Sequence, residues 1–93
     1  MTYFIVVNEW SYPTEYGREL VGDYSTLEDA NKAAERECEN ERDNFIDVNG
    51  ETYEAACGHF YNWDGEEGYM LNSSQYENEN MFFRSVIIKR EIS

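Results

Sequence analysis

Nucleophilic chemistry in this chain would have to run through a single imidazole, because His59 is its only histidine. A serine or cysteine triad needs such a base, and an acid to orient it. Cys57 precedes His59 by two positions, and in a strand that spacing puts both side chains on one face. It sets them side by side, which is a packing arrangement more than a relay. The same pair, even with the distant Cys38, falls short of a four-ligand zinc site unless carboxylates join. Asp64, Glu66 and Glu67, in a glycine-flanked turn, offer oxygen donors for a cation such as calcium, but without the spacing of an EF-hand loop. Carboxylates are abundant, yet no pair is set apart for glycosidase-type acid–base work. No glycine-rich phosphate loop is present. The expectation is a protein that is not an enzyme and needs no metal or cofactor. A small enzyme using His59 is the minority alternative.

Charge carries more information. Twenty acidic residues stand against seven basic ones, for a formal net charge of −13. Such a chain repels bare nucleic acid and anionic membranes and attracts basic partners. From Asp43 to Phe83 there is no lysine or arginine, while nine acids fall in that stretch: Asp43, Asp47, Glu51, Glu54, Asp64, Glu66, Glu67, Glu77 and Glu79. Self-repulsion of this kind is destabilising, and single-sign fields are avoided unless they steer something. Tyr53, Tyr61, Trp63, Tyr69 and Tyr76 are interleaved with the acids. Carboxylates with aromatic anchors suit an arginine-rich groove. The residues expected to carry binding are Glu37, Glu41, Glu54, Asp64, Glu66 and Glu67, with the aromatics Tyr61 and Trp63.

In size, charge and aromatic content the chain resembles small DNA-mimic and anti-defence proteins. Those inhibitors occupy nucleic-acid-binding clefts by presenting carboxylates where phosphates would sit. The resemblance rests on no motif, so no residue role is carried over. It implies a non-enzymatic inhibitor that meets a basic, nucleic-acid-handling protein and does not touch nucleic acid or membrane itself. The competing expectation is a structural, self-associating module whose acidity serves solubility only. In that reading the long final strand, Phe82 to Ile92, pairs with its twin at a sheet edge.

One helix organises the elements that must hold these residues. Ser25 to about Phe45 has no proline, glycine or β-branched residue in its interior. Ser25 with Glu28 makes a capping box, and Thr26 with Asp29 offers a second register. Leu27, Ala30, Ala33, Ala34, Cys38 and Phe45 form an apolar stripe with a small-residue middle, suited to lying close on a sheet. Glu37 and Glu41 fall on or beside that stripe. Either the helix overruns the sheet after Cys38 and both point into water, or they line an acidic partner-facing surface with Glu35 and Glu39.

Strands account for most of the rest. Thr2 to Trp10 is apolar on both faces, as an interior strand should be. Trp10 to Gly17 reads as an aromatic-rich loop, Arg18 to Tyr24 as a second strand with a bulge at Gly22. Asp47 to Gly50 reads as a turn, and Glu51 to Cys57 as a short helix. His59 to Trp63 and Tyr69 to Asn72 read as a hairpin around Asp64–Gly68, and Ser73 to Asn80 as a polar loop. In Met81 to Ile92, Phe82, Val86, Ile88 and Ile92 share one face with Arg84 and Arg90 between them. The predicted fold is a single α+β domain over residues 1–93, order β-β-α-(short α)-β-β-β. Its antiparallel sheet of four or five strands carries one long helix on one face. Tyr3 to Val7 is too short and lacks the basic leader of a signal peptide, so a cytoplasmic location is expected, with both cysteines reduced.

Overall fold

The structure, a computed structural model, describes residues 1–12, 15–49, 55–62, 65–73 and 82–92. Five strands and one helix follow one another as β1 (Thr2–Tyr12), β2 (Glu15–Tyr24), α1 (Leu27–Asn49), β3 (Ala55–Tyr61), β4 (Glu67–Ser73) and β5 (Phe82–Glu91). All strand pairs are antiparallel, in the order β2-β1-β5-β4-β3, and α1 lies across one face. This is the α+β architecture that the pattern of one helix among alternating strands predicts.

Placement in the sheet follows from which strands are apolar on both sides. β1 pairs with β2 on one side and β5 on the other, which explains its two apolar faces. β5 pairs with β1 and β4 and so sits at the centre of the sheet. That corrects the expectation of edge pairing through the final strand, which has β1 along one side and β4 along the other from Arg84 to Ile87. The edges are β2 and β3. The β1–β2 register shifts between Val6 and Val7, opposite Leu20–Gly22, where the bulge was expected.

Thr26 caps α1: its Oγ1 accepts from the Asp29 amide at 3.2 Å. The small stripe does what its size allows. Ala30, Ala33 and Ala34 pack on Val6 and Ile87, and Cys38 packs on Leu71 and Phe83. Leu27 departs from the expected stripe and is 38% exposed, because at the first turn the helix has not yet reached the sheet core. The Phe45 side chain lies outside the described residues.

Several element boundaries differ from those expected. The aromatic loop Trp10–Gly17 is mostly strand: β1 runs on to Tyr12 and β2 starts at Glu15. Cross-strand pairing of Trp10 with Gly17 and of Ser11 with Tyr16 overrides the turn signal of Pro13, which itself lies outside the described residues. The helix continues through Asn49, over the first part of the expected turn. The expected short helix is strand where it is described, from Ala55 to Cys57, paired against Leu71–Ser73. Its first part, Glu51–Glu54, lies outside the described residues, as do residues 74–80 of the expected polar loop and Met81. The β3–β4 turn closes tightly, with the Asn62 amide donating to the Glu66 carbonyl at 2.6 Å and Gly65 at φ 94°.

Candidate functional site

The expected binding residues fall into two groups, separated along the sheet. The first is a cleft of about 350 Å³ between the C-terminal half of α1 and the β1–β2 hairpin. α1 contributes Glu37, Asn40 and Glu41, β2 contributes Glu15 and Glu19, and Asn8, Trp10 and Phe83 form the floor. Glu37 and Glu41 are one helical turn apart, so their side chains stack along the helix. Both are half-buried, which places them over the sheet and not past its edge. Asn8 is 8% exposed and donates from Nδ2 to Glu37 Oε1 at 3.3 Å. That bond turns the Glu37 carboxylate toward β1. Among the described residues, four carboxylates thus line the cleft and no basic side chain does.

Trp10 is set in place by a glycine. A Cβ on Gly17 would lie 2.7 Å from Cε2 of the indole, so the ring lies flat over the bare backbone of β2. Any side chain at position 17 would push the indole out of the cleft floor. An aromatic face beside several carboxylates is the arrangement that receives a guanidinium or ammonium group.

The second group lies at the other end of the sheet. Tyr61 and Glu67 line a cleft of about 230 Å³ with Phe4, Leu27, Gly65, Ile87 and Lys89. Phe4 and Trp10 mark the two clefts on β1, six residues or roughly 20 Å apart. Tyr61 is 69% exposed. Glu67 Oε2 is 2.9 Å from His59 Nε2, and Glu66 is half-buried at the turn. A single partner surface must therefore span the helix side to reach both groups. Glu54, Trp63 and Asp64, the first acid of the expected calcium-type set, lie outside the described residues.

The remaining chemistry-bearing side chains are drawn into packing. The Cys38 and Cys57 thiols meet in a side-chain hydrogen bond, as free cysteines. Burial pushes both thiols up, and for Cys38 the neighbouring Cys57 adds to the rise. A nucleophilic thiol needs the opposite shift. Burial also raises Tyr69, followed by the charge of Glu35 and a hydrogen bond to it. Among the described residues no group of three or more His, Cys, Asp or Glu side chains converges as a metal site requires. No helix among them is long and apolar enough to cross a membrane.

No protein-family model, curated protein or solved structure matches the chain. The site is therefore read from its own residues. Asn8, Glu15 and Glu19 were not singled out by sequence reasoning. The signal for Asn8 was the alternation of β1, which puts it on the face of Val6 and Trp10, and that for the two glutamates lay in β2, where Glu15, Gly17 and Glu19 alternate onto the same face. Reading Trp10–Gly17 as a loop hid Glu15 and its alternation with Glu19.

Proposed function

We propose that this is a non-enzymatic binding protein that presents the helix side of its sheet to a basic protein surface. The cleft between α1 and the β1–β2 hairpin receives a cationic side chain of that partner. One observation carries the reading: Glu15, Glu19, Glu37 and Glu41 converge around Trp10 and Phe83, with no basic residue lining the cleft among the described residues. Convergence of like charges on an aromatic floor is unfavourable for the free protein and favourable once a cation enters. Tyr61, Glu66 and Glu67 extend the acidic side at the far end of the sheet. Spaced carboxylates of this kind suit a groove that otherwise holds phosphates, so a nucleic-acid-binding protein is the class of target the reading favours.

A fluorescently labelled arginine-rich peptide tests this by anisotropy. Replacing two of the four carboxylates in Glu37→Gln/Glu41→Gln should weaken binding roughly tenfold, about 0.7 kcal/mol per charge, as for exposed ion pairs. Rising salt should weaken it further. Equal affinity for the wild type and the double variant would sink the cleft assignment.

A further inference from the structure

The only two thiols of the chain meet across the contact between α1 and β3, outside the acidic cleft. Cys38 stands one helical turn after Ala34 on the sheet-facing stripe and is fully buried. Cys57 stands on β3 directly opposite Leu71 of β4. Leu71 packs with Cys38 and Phe83, and Cys57 packs against that cluster from the edge strand. A buried cysteine can serve simply as a small hydrophobe, which accounts for Cys38. It does not account for a second thiol, half-buried on an edge strand, set against the first.

The two sulfurs are not equivalent. Burial raises both thiols, and the hydrogen bond between them then raises Cys38 and lowers Cys57. That pattern is an S–H on Cys38 donating to the Cys57 sulfur. Cys57 is therefore the attacking sulfur and the one a reagent reaches, while Cys38 waits behind it. Because burial keeps the thiolate scarce, the pair is slow to react and is no redox catalyst. Once Cys57 carries a leaving group, contact holds Cys38 at high effective concentration, which favours closure over exchange with a second reagent molecule. Charge selects the reagent. Among the groups acting on Cys57, Arg42 is one cation against Glu39 and Glu35, on a chain of −13. A cationic disulfide is drawn to such a surface and an anionic one is repelled.

We propose that Cys38 and Cys57 are a dithiol modification site, which a small cationic disulfide oxidises to an intramolecular cross-link between α1 and β3. Cys57 loses its proton to solvent and attacks one sulfur of a disulfide R–S–S–R. A Cys57–S–S–R bond forms, and the departing R–S⁻ takes up a proton. Cys38 then loses its proton and attacks the Cys57 sulfur, and the second R–S⁻ departs and is protonated. The protein gives up two protons and two electrons, and R–S–S–R is reduced to two R–SH. The chain from 38 to 57 becomes a closed loop of about 20 residues. The cross-link ties an edge strand, which pairs in the sheet with β4 alone, to the helix.

Incubating the reduced protein with excess cystamine, a cationic disulfide, tests the site. Mass spectrometry should show a single chain about 2 Da lighter, with no thiol left to titrate in denaturant. Melting temperature should rise by roughly 10 °C, and dithiothreitol should reverse both changes. The rate should climb roughly tenfold for each pH unit below the thiol range. Glutathione disulfide, which is anionic, should react roughly tenfold more slowly at low salt, and added salt should narrow the gap. Cys38→Ala should stop with one cysteamine held on Cys57, and Cys57→Ala should leave Cys38 unmodified. Two thiols that still titrate, a chain capped at both cysteines, or chains joined to one another would overturn the proposal. So would a cross-linked form that melts no higher than the reduced one, because that bond would not fit the folded contact. Equal rates for the two disulfides would overturn the selection for a cation.

Discussion

Gly68→Ala tests the packing on which the second half of the sheet depends. Gly68 lies opposite Val86 in the β4–β5 ladder, whose register pairs run only from Glu67 to Met70. A Cβ at this position would collide with the Ser85 carbonyl oxygen and stand 3.0 Å from Val86 Cα. Carbon–oxygen contacts ordinarily need about 3.3 Å, and both obstacles are backbone, so no side-chain rotation relieves them. β4 must move away from β5 by about an ångström. Losing half of so short a ladder, at about 0.5–1.5 kcal/mol per hydrogen bond, and loosening Leu71 against Cys38 and Phe83 comes to about 3 kcal/mol. The whole domain has about 5–14 kcal/mol to lose. Urea unfolding followed by circular dichroism should show a midpoint lower by roughly 2–3 M. Gly65→Ala is the internal control. Gly65 has φ 94° and open space around its missing Cβ, so its variant suffers only backbone strain, about 1–2 kcal/mol. A loss at Gly68 below about 1 kcal/mol, or a smaller loss there than at Gly65, would refute the close-approach argument.

Two further outcomes follow from the helix–sheet interface. Ala34 is fully buried between α1 and the sheet, so Ala34→Leu should overpack it and lower stability by about 1–3 kcal/mol in the same urea assay. Raised thiols make stability fall with alkali. Below the ordinary thiol value of 9.0 both folded and unfolded chains keep Cys38 protonated, and above it only the unfolded chain ionises, so stability drops by up to about 1.4 kcal/mol per pH unit. Melting temperature measured from pH 8 to 10 should fall with a slope that flattens in Cys38→Ala.

How much was legible follows the strength of each local pattern. The helix face was readable because Ala30, Ala33, Ala34 and Cys38 repeat at helical spacing, and all four are buried. The interior place of β1 was readable from apolar residues on both of its faces. The lengths of β1 and β2 were not. Pro13 and the aromatics around it look like a loop, and only the cross-strand seat of Trp10 on Gly17 draws those residues into the ladder. β3 was missed at its start for a related reason. Ala55-Ala56-Cys57 has weak strand propensity of its own, and its partners, Leu71 to Ser73, lie far along the chain. The helix's two acids were seen as a breach of the apolar stripe. What they face could not be seen, because it depends on β2, whose Glu15 and Glu19 reach the cleft only once the hairpin is extended.

The small stripe and the acidic cleft are connected by distance. Alanines at 30, 33 and 34 let α1 lie close on β1 and β5, and that closeness brings Glu37 within reach of the Asn8 amide. With larger residues there, the helix would ride higher and Glu37 would turn to solvent. The helix covers one face of the sheet. The opposite face carries the Arg18–Glu9–Arg84 cluster across three strands, with the Glu9 side chain only 12% exposed. The charge of Glu9 is compensated on the spot, while the carboxylates of the helix-side cleft face one another. Sorting charge to one side of a single sheet concentrates carboxylates of a chain of −13 around the cleft, where the proposed cationic side chain would enter.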